Sequence, residues 1–109
     1  MKFRVDITET AKNDMIEAAE YIDYVLKNPQ AADNLIEAIE KEIGSLAIFP
    51  ERYAVLDDSV LSFFNVRFVR VKDYLAFYVT MEDERLVVIL RFLHMRRDWT
   101  EILKVDMLV

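Results

Sequence analysis

Apolar and polar residues alternate from Lys2 to Ile7, with Phe3, Val5 and Ile7 set against Lys2, Arg4 and Asp6. A period of two predicts a half-buried strand. Thr8 or Thr10 then offers a hydroxyl oxygen to cap a helix. From Ala11 the pattern changes, and Ala11, Met15, Ala18, Ala19, Ile22 and Leu26 mark one face of a helix. Asn28-Pro29 ends that helix and starts another, with Asn28 as cap and Pro29 at the first position, where its missing N–H costs nothing. The second helix carries Ala32, Leu35, Ile36, Ile39, Ile43, Leu46 and Ala47 on one stripe. So short a break predicts an antiparallel helical hairpin. Pro50 ends it by pushing Phe49 out of helical geometry.

Residues 54–64 (AVLDDSVLSFF) show no clear period. Asp57-Asp58-Ser59 reads as a turn, and the segment is expected to lie as a loop over the sheet. From Asn65 to Trp99 three apolar runs of strand length follow, broken at Lys72-Asp73 and between Met81 and Glu84. Lys72-Asp73 makes a two-residue hairpin loop without the usual glycine. After Trp99, Thr100 to Leu103 reads as a short helical turn. The order is strand, helix, helix and three strands, which predicts an α+β fold (β-α-α-β-β-β) with the hairpin packed on one face of a mainly antiparallel four-stranded sheet.

Composition narrows the functions open to this pattern. At 109 residues, 1–109 is expected to form one domain that buries roughly two-thirds of its unfolded surface. The absence of cysteine removes disulfides, thiolate catalysis and Cys-ligated zinc. One histidine leaves no metal-binding spacing, and no cofactor is implied. The opening MKFRVDITET is unlike a signal or transit peptide. The apolar run Leu86–Leu90 stops at Arg91, far short of the ~20 residues of a membrane span, so a soluble, cytoplasmic chain is expected.

The net charge of −6 is uneven: residues 1–64 hold 6 Lys/Arg against 13 Asp/Glu, whereas 65–109 hold 8 against 7. An acidic half repels a phosphate backbone, although screening over ~8 Å lets a local arginine cluster act alone. The meander supplies such a cluster in Arg67, Arg70, Arg91, Arg96 and Arg97, together with the single histidine, His94. It is either an anion-facing surface or a sheet with a solvated charged edge. The acidic helix faces read as solvated.

Several phrases resemble toxins of the RelE/ParE superfamily, the toxic partners of type II toxin–antitoxin (plasmid stabilisation) systems. They are the opening strand into TETAKND, the helices split by Asn28-Pro29, SLAIFPER at 45–52, VKDYLAFY at 71–78 and VVILRFLHMRRDW at 87–99. The resemblance implies a cognate antitoxin as partner, seated on the hairpin or the sheet edge, and a homodimer or toxin–antitoxin heterotetramer as assembly. It leaves two modes of action. RelE-like members are mRNA interferases, endoribonucleases that cleave transcripts on the ribosome; ParE-like members bind DNA gyrase.

If this chain is a nuclease, the catalytic candidates are Arg67, Arg91, His94 and Arg96. An unperturbed imidazole suits proton transfer in both directions, and Arg96 aligns with the transition-state arginine of RelE-like enzymes. A strand end more often holds such a histidine for structure. Arg67 and Arg70 are three apart and so face opposite sides of a strand. Arg91 interrupts an apolar strand and must be paired, by an internal carboxylate first, or else by a bound anion or an antitoxin. The catalytic tyrosine of RelE-like enzymes is replaced by Ile102, and their paired lysines are missing, since residues 54–66 contain no lysine. These departures favour the ParE-like branch. A member that binds its antitoxin without toxicity is the third reading. Tyr74 and Tyr78 share a face around Ala76, as core or as a stacking surface. Trp99 is expected to anchor the tail, Asp98 to pair with an arginine, and 105–109 either to dock on the sheet or to await the antitoxin.

Overall fold

A computed structural model of the protein describes residues 2–108, so Val109, the end of the tail, lies outside the described residues. Strand β1 spans Arg4–Ile7, and helix α1 spans Glu9–Glu20. Thr8, not Thr10, caps α1: its hydroxyl oxygen accepts from the Ala11 N–H at 3.1 Å. A π-helical turn, Tyr21–Val25, extends α1. Helix α2, Pro29–Gly44, begins as expected, with the Asn28 side chain accepting from Ala31 N–H and Pro29 in the first turn.

Three strands complete the sheet: β2 (Arg67–Val71), β3 (Tyr74–Met81) and β4 (Leu86–His94). The order is β1-β4-β3-β2, with β1 parallel to β4 and the other pairs antiparallel. The sheet is therefore mixed. β1 gains its place by pairing with the last strand, which no local pattern announces.

The hairpin packs on one face against Val69, Val71, Ala76, Tyr78, Val87 and Ile89. The other face is also covered, by more structure than the sequence suggests. The 54–64 segment contains a short helix, α3 (Ser59–Phe63), capped by Asp58, whose carboxylate accepts from Val60 and Leu61 N–H. Those hydrogen bonds, the Leu61 one foremost, hold the Asp58 carboxyl below its usual range. The expected turn after Trp99 is a ten-residue helix, α4 (Trp99–Leu108), which buries Leu103 completely. Lys104 of α4 pairs with Asp58 at 3.1 Å, tying the two covering helices together. Trp99 anchors this layer, its ring 5.2 Å from Phe77 and 6.3 Å from Phe68. Asp98 forms no ion pair among the described residues; its carbonyl instead accepts from Ile102 N–H at the start of α4.

Tyr74, Ala76 and Tyr78 do share the hairpin face, as core. Tyr78 is fully buried and its hydroxyl donates to the Pro50 carbonyl at 2.5 Å. Burial pushes its pKa up to about 12. Because this lies above the ordinary value near 10, the unfolded chain loses the proton first. The stabilisation is complete below about pH 10 and is lost as pH rises through about 12. Tyr78→Phe should cost about 1 kcal/mol at neutral pH and flatten the alkaline decline. Urea midpoints measured at pH 7 and in the alkaline limb check both effects.

Candidate functional site

β1 ends at Ile7, opposite Ile89, which leaves the C-terminal half of β4 without a strand on that side. Open strand edges expose unpaired N–H and C=O groups. Here the α1 cap Thr8 and the α1 residue Asp14 each take up one of them. The Thr8 hydroxyl donates to the Leu90 carbonyl at 3.2 Å, and Asp14 Oδ2 accepts from Phe92 N–H at 3.0 Å.

Between these two contacts lies a β-bulge. Tyr78 pairs with Ile89 and Phe77 with Arg91, so Leu90 has no opposite number. Strict alternation from Val87 and Ile89 would aim Arg91 at the hairpin. The extra residue breaks that alternation, and the Arg91 side chain lies between α1 of the hairpin and α4. There its Nε lies 2.7 Å and its Nη2 3.0 Å from the two oxygens of Asp14, and its Nη1 lies 3.0 Å from Asp106 of α4. The pair is well shielded, with side-chain exposures of 16% for Arg91 and 10% for Asp14. The Asp14 hydrogen bonds, then those of Asp106, raise the Arg91 pKa above its usual value against the opposing effect of burial. Of the three partners open to Arg91 in the sequence, the fold supplies the first, an internal carboxylate.

Two residues on, His94 closes β4. Its Nδ1 accepts from the backbone N–H of Arg96 at 3.1 Å, so the neutral ring carries its proton on Nε2. Its ring meets Tyr74 edge-on, with centroids 5.2 Å apart. Tyr74 in turn stacks on Phe92 at 5.0 Å, and burial foremost raises its hydroxyl pKa. Glu17, Tyr21, Tyr74, His94 and Arg97 line a cleft of about 510 Å³ between α1 and the end of β4. Arg96 itself is exposed in the turn after β4.

Arg67 stands apart from this group. It pairs with Tyr78, four residues along β3 from the Tyr74 that pairs with His94. That separation is roughly 13 Å along the strand before the two intervening strand spacings are added. By parity it shares the hairpin face with Val69 and Val71, and its Nε is buried without a hydrogen-bond partner among the described residues. Arg70 faces the other way and is tied to the β2–β3 turn, donating to the Lys72 carbonyl at 2.8 Å and facing Asp73 at 3.9 Å. Arg91, His94 and Arg96 thus cluster by sequence, with Arg91 already engaged, while Arg67 does not join them.

Asp14 is the residue that the sequence reading passed over. It sits three residues after Ala11 and four before Ala18, both buried, which places an acid on the inward stripe of α1. That spacing was the available signal.

With this geometry in view, the comparisons with known proteins give the family. The family model described as the ParE toxin of the type II toxin–antitoxin system parDE matches residues 5–99. The chain belongs to the ParE toxin family. It is thereby a type II toxin–antitoxin toxin. Among solved structures, the chromosomal ParDE system of P. aeruginosa is similar with TM-score 0.68 and 18% identity, over 85% of this chain and 96% of that one. The RelBE2 toxin–antitoxin complex of Mycobacterium tuberculosis is similar with TM-score 0.60 and 22% identity, over 86% and 92% of the two chains. At such identities these likenesses speak for the fold that this ParE-family member shares with both. No curated protein matches it significantly in sequence.

Proposed function

We propose that this ParE-family protein arrests growth by binding a protein target, DNA gyrase, and that a cognate antitoxin neutralises it. The observation that carries the proposal is the state of the would-be catalytic set. RNA cleavage by 2′-OH attack needs a base, an acid and cations gathered around one phosphate. Arg91 is held by Asp14 and Asp106, the His94 Nδ1 is taken by a backbone N–H, and Arg67 lies two strands away on β2, opposite Tyr78 in the middle of β3. Only Arg96 of the four is exposed. The nuclease reading, with Arg67, Arg91, His94 and Arg96 as catalytic residues, is therefore the second choice. Family membership supports the antitoxin, as do similar solved structures described as a ParDE system and a RelBE2 toxin–antitoxin complex.

Induction in cells lacking the antitoxin tests the proposal. Arrest should leave transcripts intact, and Arg96→Ala should arrest growth as the unsubstituted chain does. Transcript cleavage that disappears in Arg96→Ala would establish the nuclease instead. Robust expression with normal growth would leave an antitoxin-binding protein without toxicity.

A further inference from the structure

At the end of the molecule away from His94, the chain spends considerable structure on displaying one side chain. Phe49 is 78% exposed and sits at φ 51°, ψ 57°, a left-handed conformation that costs a non-glycine residue energy. Proline following it accounts for the departure from right-handed helix but favours extended backbone rather than this one. What holds the strain is Arg52. Its Nη1 donates to the carbonyls of Ser45, Ile48 and Phe49 at 3.2, 2.7 and 3.1 Å, and its Nη2 donates to the Ser45 hydroxyl at 2.7 Å. Beneath, Pro50 is buried and its carbonyl is fastened by Tyr78. Packing gains nothing from an exposed phenyl ring, so the clamp preorganises a knob. Residues held in strained backbone by a surrounding scaffold concentrate at functional sites.

The knob has a charged setting. A hollow of about 180 Å³ beside it is lined by Phe3, Ile48, Phe49, Glu51, Glu82 and Arg85. Arg85 lies over the Phe3 ring, 5.4 Å from its centroid. The turn Glu82–Glu84 adds consecutive exposed carboxylates, and neither Glu51 nor Glu82 forms an ion pair among the described residues. An aromatic anchor with an acidic rim complements an apolar socket with a basic rim. Proteins that hold nucleic acid carry such rims, because lysines and arginines neutralise the phosphates.

We propose that Phe49, with Glu51 and the Glu82–Glu84 turn, is the contact through which this protein seats on a lysine- and arginine-rich, DNA-holding surface of its target. This rests on the gyrase reading and names the chemistry of the surface engaged. Rigid aromatic side chains in such positions carry a disproportionate share of binding.

The test compares purified wild type, Phe49→Gly and the double variant Glu82→Lys/Glu84→Lys for inhibition of DNA supercoiling by purified gyrase. Glycine relaxes the left-handed strain, so Phe49→Gly should melt no more than about 3 °C below wild type, which removes misfolding as an explanation. Both variants should need about tenfold more protein for equal inhibition, and excess linear DNA should weaken the wild-type effect. Wild-type inhibition that is unchanged in both variants would overturn this inference and leave the gyrase reading standing. The same holds if the variants inhibit normally but lose binding to the antitoxin encoded beside the gene. A wild type that never inhibits supercoiling sinks the gyrase reading itself, and this inference with it.

Discussion

Asp14→Ala should be among the most damaging single substitutions in the chain, costing about 3–5 kcal/mol. It would leave the shielded Arg91 guanidinium short of its bidentate partner and strip the Phe92 N–H of its acceptor at the open edge of β4. Breaking a shielded pair from one side is expensive because the surviving charge stays buried. Asp106→Ala removes the other carboxylate on the same arginine, but Asp106 is 38% exposed, so water replaces it and the cost should be about 1 kcal/mol or less. Guanidinium-induced unfolding of the two variants reads the contrast directly. Equal losses would mean that Arg91 is anchored from α4 and that the edge-sealing role given to Asp14 is wrong.

The second large effect concerns the layer over the far side of the sheet. Leu103→Ala should cost about 2–5 kcal/mol, because Leu103 is fully buried among Leu61, Val66, Phe77 and Leu93. Val105→Ala, on the same helix but 60% exposed, should stay within about 0.5 kcal/mol. A Leu103→Ala chain as stable as Val105→Ala would show that α4 is a loose appendage and that the sheet stands on the hairpin alone.

Much of this arrangement is legible in the sequence. The hairpin follows from a clean helical period and from Asn28-Pro29, and the meander follows from three apolar runs with short polar breaks. Strand parity correctly set Arg67 and Arg70 on opposite faces. What escaped has a common cause: each feature depends on a partner far along the chain. The parallel pairing of β1 with β4 joins Arg4 to Leu86. The bulge at Leu90 is a mismatch between two strands, so neither strand's own pattern displays it, yet it decides where Arg91 points. Asp14 and Arg91 are 77 residues apart. α3 and α4 were underestimated because each is short or weakly periodic and owes its stability to the sheet face it covers.

The candidate site was legible only in outline. Arg91, His94 and Arg96 do lie near one end of β4, but proximity in sequence says nothing about which donors are already engaged. Pro50 predicts that Phe49 leaves helical geometry, and it does, but a following proline favours extended backbone, not the left-handed one that Arg52 clamps here. A single-residue strain of that kind leaves no trace in hydropathy.

Protein binding in place of RNA cleavage is the mode of action proposed for this ParE-family chain. The most direct measurement places the purified protein, in parallel, in a supercoiling reaction with gyrase and in a translation reaction with ribosome-bound mRNA. The account predicts inhibited supercoiling and intact message. Unimpaired supercoiling with a cleaved message would contradict it.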